Sequence, residues 1–235
     1  MIDFHSHILP HIDDGSSSLQ VSLEMLQMEA QQGITHVVAT PHFYAQETKL
    51  ERFMERRDHA ERKLRCEMEK HSGLPQLLVG AEVSFFRGVS ETEFLPELTI
   101  GGTNSVLIEM PATPWEDYFY AELKAIWERR RIVPIVAHID RYINFWNCRS
   151  IMQNLAQLPV LVQANAESFV NRRSAARMQR LLQQDLVHLI GSDCHDLAER
   201  VPNIADAVER ITQKLGPDAL TRVHTYEEKF LQQIP

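Results

Sequence analysis

The chain begins Met1-Ile2-Asp3-Phe4-His5-Ser6-His7-Ile8-Leu9-Pro10-His11-Ile12-Asp13-Asp14-Gly15, and the reading of this stretch decides the fold. Residues 1–4 suit a short apolar strand. His5 and His7 follow at a spacing of two, which on a strand turns both imidazoles to one face. His11, Asp13 and Asp14 come next, ahead of a loop rich in Gly and Ser. Parallel imidazoles with carboxylates just beyond them make a donor set for a divalent cation, whose usual ligands are neutral His nitrogen and ionised Asp oxygen. An edge strand with a polar face would carry the same two histidines. The discriminating question is whether further donors recur at the ends of later strands.

The rest of the chain alternates apolar β-branched runs with segments of helical period. Ser16–Ser18 cap a helix to about residue 32, in which Leu19, Leu23, Leu26 and Ala30 recur at three and four before Gly33 stops it. Strands are expected at 34–40 (ITHVVAT), 77–83 (LLVGAEV), 105–110 (SVLIEM), 132–138 (IVPIVAH), 160–164 and 187–191 (VHLIG). Helices are expected at 47–71, 115–131, 147–158, 168–183, 203–214 and 217–233, and 84–103 is irregular. Pro134 inside its run marks a strand start or a bulge. Seven strands interleaved with helices, with no linker or repeat, predict α/β architecture in one domain over 1–235, built of parallel βαβ units. In a closed parallel barrel the chemistry gathers at the carboxyl ends of the strands.

Those ends carry the donors. His5 and His7 follow strand one, His42 strand two, Glu82 strand three, Glu109 strand four, His138 strand five, and Asp193 and His195 strand seven. Any one of them reads as the first polar residue after a core strand; six strands ending alike read as one metal site. Carboxylates converging in a barrel mouth repel unless cations lie between them. With Asp14 the donors exceed the three or four a single ion takes. Two or three ions fit, with Glu82 bridging, and mixed His and carboxylate ligation favours Mn, Fe or Zn over Ca or Mg. Arg141 and Arg200 fall in loops at the same end, where guanidinium forks bind phosphate oxygens.

Composition limits the rest. The 235 residues are 44% hydrophobic and 24% charged, with a net charge of −8, so nucleic acid and anionic membrane are not the expected partners. Three widely spaced cysteines without a CxxC pair fit a reducing compartment. The N-terminus lacks an export-signal pattern, and no apolar run is long enough to span a membrane, so a cytoplasmic location is expected.

His5-Ser-His7, Asp13-Asp14-Gly15, Thr40-Pro41-His42, Gly80-Ala81-Glu82, Ile108-Glu109, Ala137-His138-Ile139-Asp140-Arg141 and Ser192-Asp193-Cys194-His195 together resemble the polymerase-and-histidinol-phosphatase (PHP) superfamily. Within it the chain is similar to the manganese-dependent tyrosine-protein phosphatases of bacterial capsule and exopolysaccharide operons, from Met1 to about Pro202. The resemblance implies a distorted (β/α)7 TIM-like barrel with three metals. One takes His5, His7, Glu82 and Asp193; a second takes Glu82, Glu109 and His138; a third takes Asp14, His42 and His195. His11 departs from the family pattern and competes with Asp14 for the third place. Arg141 and Arg200 match the phosphate-binding arginines. The implied cofactor is Mn2+, and the implied substrate is the phosphorylated tyrosine tail of a bacterial kinase that controls polysaccharide export.

The expected chemistry follows. Water bridging two cations ionises near neutral pH and attacks phosphorus in line. Metals and arginines neutralise the equatorial oxygens. The phenolate leaves with little help, and His42, Asp14 or His195 are the candidate acids. Cys194 to Arg200 also fits C-x5-R, the loop of cysteine-dependent phosphatases, but His-Asp-Leu-Ala-Glu between them has no Gly and carries two carboxylates that oppose both thiolate and phosphate. A histidinol-phosphate phosphatase and a non-catalytic, metal-bound partner of the kinase are the remaining alternatives. His36 and His188 read as packed strand residues. The charged face 51–65 is solvated or serves contacts in a homo-oligomer.

Overall fold

The computed structural model describes residues 1–143 and 148–234. The expected helix at 147–158 therefore begins, at Asn147, outside the described residues. Strands β1 (Ile2–Ser6), β2 (His36–Ala39), β3 (His42–Phe43), β4 (Gln76–Val79), β5 (Glu82–Ser84), β6 (Ser105–Glu109), β7 (Val133–Val136), β8 (Leu161–Asn165) and β9 (Leu189–Gly191) alternate with helices. These are α1 (Leu19–Gln31), α2 (Leu50–Met68), α3 (Asp117–Arg130), α4 (Ile139–Ile143), α5 (Cys148–Leu155), α6 (Glu167–Val170), α7 (Ala175–Gln183), α8 (Ile204–Leu215) and α9 (Thr221–Leu231).

All described pairings are parallel, in a sheet β1-β2-β4 and a sheet β3-β5-β6-β7-β8-β9. Eight of the nine segments overlap the seven expected strands, and β3 lies beyond the expected end of the second. The run at 34–40 breaks at Thr40-Pro41 and resumes as β3, where Pro41 has no N–H to donate to a ladder. The run at 77–83 breaks at Gly80-Ala81 and resumes as β5. A side chain at Gly80 would put its Cβ 2.8 Å from Ile100 Cγ1. The pieces stay in line, because Gly80 N–H donates to Ala39 O (2.9 Å) and Glu82 N–H to Pro41 O (3.0 Å).

The first strand closes on the last. Asp193 N–H donates to His5 O (2.7 Å) and His7 N–H to Cys194 O (2.9 Å), across a parallel bridge between Ser6 and Cys194. The result is the distorted TIM-like barrel expected of the sequence. Phe4, Val38, Leu107, Ile135 and Leu189 fill its interior, and a larger apolar layer lies between strands and helices.

Some local expectations are corrected. Pro134 sits within β7, opposite Val106, without a bulge. The β7–β8 ladder begins only at Ile135, so the missing Pro134 N–H leaves no acceptor unmet. The helix expected at 168–183 is two helices, α6 and α7, because Asn171 takes extended backbone (φ −60°, ψ 126°) between them. Glu82 starts β5 and His42 starts β3; neither follows a strand end.

Candidate metal and phosphate site

Four ligand atoms meet where β1 leaves the barrel. His5 Nε2 lies 3.1 Å from His7 Nε2, 3.2 Å from Glu82 Oε2 and 3.6 Å from Asp193 Oδ1. His7 Nε2 is 3.3 Å from the same Glu82 oxygen and 3.5 Å from Asp193 Oδ1. Donors about 2.1 Å from a shared tetrahedral ion stand about 3.4 Å apart. The measured separations bracket that figure. The other Glu82 oxygen, Oε1, is 2.8 Å from His138 Nε2, which lies 3.6 Å from Glu109 Oε1. At the outer rim, Asp14 Oδ1 is 3.4 Å from His42 Nε2 and 3.5 Å from His195 Nε2. The structure thus brings all nine predicted donors together around Glu82. It places Asp14, and not His11, with His42 and His195 in a four-donor group completed by His7.

The orientation of the rings decides what the cluster can hold. Asp13 Oδ2 accepts from His7 Nδ1 (2.8 Å), and the Asp193 carbonyl accepts from His195 Nδ1 (2.9 Å). Gln163 Oε1 lies 3.4 Å from His5 Nδ1. Each contact assigns the ring proton to Nδ1 and leaves an Nε2 lone pair facing inward, the arrangement of metal-bound histidines. Glu82 Oε2 and His195 Nε2 are buried without a hydrogen-bond partner among the described residues. This holds for Glu82 although His42 Nδ1 is 2.9 Å away and His5 and His7 are within 3.3 Å. Converging lone pairs, orphaned buried acceptors and mixed N/O donors fit divalent metal ions.

The electrostatics agree. Burial disfavours a charged His7, but the hydrogen-bonded Asp13 carboxylate and the neighbouring Glu82 carboxylate outweigh it and push the ring up to about 10. Burial likewise opposes ionisation of Glu82, yet His5, His138 and His42 hold its carboxyl well below the usual range. Asp193 is held low against its own burial by His5, Arg141 and other cationic neighbours. His195 moves the other way, to about 4, because it is buried beside His7 and Arg200. The cage strongly favours a positive charge at its centre and resists placing one on every ring.

Both predicted arginines close on one carboxylate. Arg200 Nη2 is 2.7 Å from Asp193 Oδ1, and Arg141 Nη2 pairs with Asp193 Oδ2. Their side chains are 39% and 42% exposed, so each can swing toward a ligand in the mouth. Tyr44, at 37% exposure, stacks over His42 with ring centroids 5.3 Å apart.

Asp13, grouped with Asp14 as a donor in the sequence, instead supports a ring, and Gln163, Asn165 and Asp3 escaped the sequence reading. Asp13 orients His7 and also accepts the backbone N–H of Gly15 (3.0 Å) and His42 (3.1 Å). Gly15 must be glycine, since a Cβ there would stand 2.2 Å from His7 O. Gln163 and Asn165 are polar interruptions of an apolar strand, and that was the available signal. Gln163 Oε1 accepts the His138 N–H (2.6 Å), and Asn165 Nδ2 donates to Asp193 Oδ2 (2.8 Å). Fully buried Asp3 accepts Ser192 N–H (2.8 Å), Ser192 Oγ–H (2.5 Å) and His5 N–H (3.1 Å), and so ties β1, which carries His5, to the segment after β9 that carries Asp193. His138 and Asp193 take left-handed backbone (φ 30° and 56°), unusual for residues with a Cβ and typical of strained functional positions. Cys194 is fully buried, and burial beside Asp3 and Glu29 pushes its thiol well up, so it is no nucleophile.

Comparison with known proteins points the same way. The family model described as capsular polysaccharide synthesis, CpsB/CapC, matches residues 1–231. The tyrosine-protein phosphatase CpsB of Streptococcus agalactiae is 28% identical over 233 residues, covering 93% of this chain and 92% of that protein. The tyrosine-protein phosphatase YwqE of Bacillus subtilis is 27% identical over 231 residues, covering 93% and 86%. A solved structure from work on YwqE of Bacillus subtilis and CpsB of Streptococcus pneumoniae, described as unique metal-dependent tyrosine phosphatases, superposes with a TM-score of 0.87. It is 23% identical and covers all of this chain and 96% of its own, a likeness that establishes the fold.

Proposed function

Since this chain belongs to the CpsB/CapC family of capsular polysaccharide synthesis, we propose that its cleft hydrolyses the phosphate ester of phosphotyrosine in proteins, with divalent metal as cofactor. The observation that carries this reading is Glu82, a buried carboxylate with one unpartnered oxygen among three imidazoles, set beside two arginines that share Asp193. The names of the relatives as tyrosine-protein phosphatases support the substrate class.

His5, His7, Glu82 and Asp193 would hold one ion, Glu82, Glu109 and His138 a second, and Asp14, His42 and His195 a third. Mn2+ is the proposed metal, and Fe or Zn suit the same donors. Bound metal supplies Lewis acidity and water activated near neutral pH. The chain's own groups do the rest. Arg141 and Arg200 leave Asp193 to bind the phosphoryl oxygens in bidentate fashion and neutralise charge as it shifts in the transition state. Asp13, Gln163 and the Asp193 carbonyl hold three imidazoles in one tautomer throughout. The departing phenolate has a conjugate pKa of about 10 and needs little protonation. Asp14, 65% exposed at the mouth, His42 and His195 stand where an acid would assist it.

The proposed substrate is the phosphorylated, tyrosine-rich tail of a bacterial tyrosine kinase that controls polysaccharide export, with this chain acting in the cytoplasm as one domain over residues 1–235. Among the described residues no helix is long and apolar enough to cross a membrane. The test is phosphate release from a phosphotyrosyl peptide. EDTA should abolish it and Mn2+ should restore it. Full activity of metal-stripped protein would overturn the proposal, and strong preference for histidinol phosphate would move it to small phosphoesters.

A further inference from the structure

Strands β6 and β7 each contribute a candidate metal donor and then an apolar surface. Glu109 ends β6 and runs into Met110-Pro111-Ala112, while His138 follows β7 and is followed one helical turn later, in α4, by Tyr142. Between these segments lies a cleft of about 580 Å³, within the size range of small-ligand pockets. Ser84, Glu109, His138 and Arg141 are its polar lining, and Met110, Pro111, Ala112 and Tyr142 its apolar wall.

The wall is fixed in place. Met110 N–H donates to Tyr142 Oη (2.9 Å), so the backbone after Glu109 pins the phenol. Trp115 packs on the same ring with centroids 5.2 Å apart at 54°, and the His138 ring lies 5.6 Å from it. Pro111 is rigid, and Ala112, an exposed small residue, leaves the entrance open.

A second cleft, of about 270 Å³, opens between Arg141 and Arg200, but its rim carries Asp140, Glu167 and Glu199 with Asn165 and Asn171. Val201 is the one apolar side chain that lines it, so a flat apolar group finds little to bury against. An aryl phosphate has its dianion and its ring directly joined, and of the two clefts that Arg141 lines, the one beside Tyr142 sets candidate metal donors next to an apolar wall in the same way.

We propose that the Met110–Ala112 segment and Tyr142 seat the phenyl ring of phosphotyrosine, and that the small side chain at Ala112 gives the enzyme its preference for aryl over alkyl phosphates. This deepens the proposed phosphotyrosine hydrolysis and rests on it.

Phenylphosphonate and methylphosphonate share an anion and differ by the ring. Calorimetric titration of the manganese-loaded protein with each reads the seat without turnover. Phenylphosphonate should bind on the order of ten-fold tighter to the wild type. Ala112→Trp should erase that advantage while methylphosphonate affinity and manganese content stay unchanged. Asn171→Trp, which narrows the polar cleft between the two arginines, should leave the ratio of the two affinities unchanged. Equal binding of the two phosphonates by the wild type, equal weakening of both in Ala112→Trp, or selective loss of phenylphosphonate in Asn171→Trp would each overturn the assignment. Failure of the wild type to release phosphate from phosphotyrosyl peptide sinks the activity itself. Normal turnover with no phenyl preference sinks only the seat.

Discussion

The Asp13 carboxylate lies 2.8 Å from Nδ1 of His7 and thereby aims the opposite nitrogen of that ring at Glu82 and Asp193. The contact is mutual, since His7 draws the Asp13 carboxyl down to about 2 despite its burial. Carboxylates behind metal-bound histidines raise ligand basicity, and their loss lowers metal affinity by about 10–100-fold. Asp13→Ala should show a loss of that size in Mn2+ affinity by calorimetric titration, with Asp13→Asn between it and the wild type. Unchanged affinity in Asp13→Ala would remove the carboxylate from the site.

Arg141 and Arg200 compete with any cation for Asp193. Removing either should therefore leave metal affinity unchanged or tighter, while kcat on phosphotyrosyl peptide falls by about 10²–10³. Arg→Lys at either position should recover little, because an ammonium cannot reproduce the bidentate fork. Steady-state kinetics with metal analysis on the same samples separates the two effects. Activity lost only in proportion to metal would mean that the arginines are structural.

Cys194→Ser tests the thiol directly. The Cys194–Arg200 spacing imitates a cysteine-phosphatase loop, yet the side chain is sealed beneath the cage beside Asp3 and Glu29. Turnover by the manganese-loaded serine variant should stay within about two-fold of the wild type. Abolished turnover in a folded, metal-replete variant would return the thiol to the mechanism.

Glu29 supplies a pH dependence of stability. Buried and next to Asp3, its carboxyl is raised from 4.5 to about 10 and keeps its proton in the folded protein. The unfolded chain gives that proton up near the ordinary carboxyl pKa. The stabilising contribution is therefore complete below about 4.5 and is lost as pH rises toward about 10. Glu29→Gln keeps a neutral hydrogen-bonding group and removes the titration. By urea unfolding, the variant should match the wild type at about pH 5 and gain on it steadily up to about pH 9. Parallel curves for the two proteins would show that Glu29 is ionised in the fold.

The order of strands and the residue types at their ends were legible in the sequence. Apolar β-branched runs and intervening helical periods set a parallel barrel, and such a barrel brings its strand ends together whatever the side chains. His5, Glu109, His138 and Asp193 could thus be gathered into one mouth from their places in the chain. Finer placements were not legible, because each is fixed by partners distant in sequence. The break at Gly80 is set by Ile100, and the tolerance of Pro134 by where β8 begins to pair. The choice of Asp14 over His11 follows from a loop that Asp13 and Gly15 fold against His7.

What the sequence determined by itself was therefore the supply of donors and the scaffold that collects them. Tertiary structure alone decided which nitrogen of each imidazole faces inward and that both arginines rest on Asp193. It also decided that Glu29 is buried beside Asp3 beneath the site and keeps its proton there. The physical reason is that local pattern encodes burial and direction, whereas tautomer, ion pairing and proton affinity depend on distances between groups as far apart in the chain as His5 and Asp193.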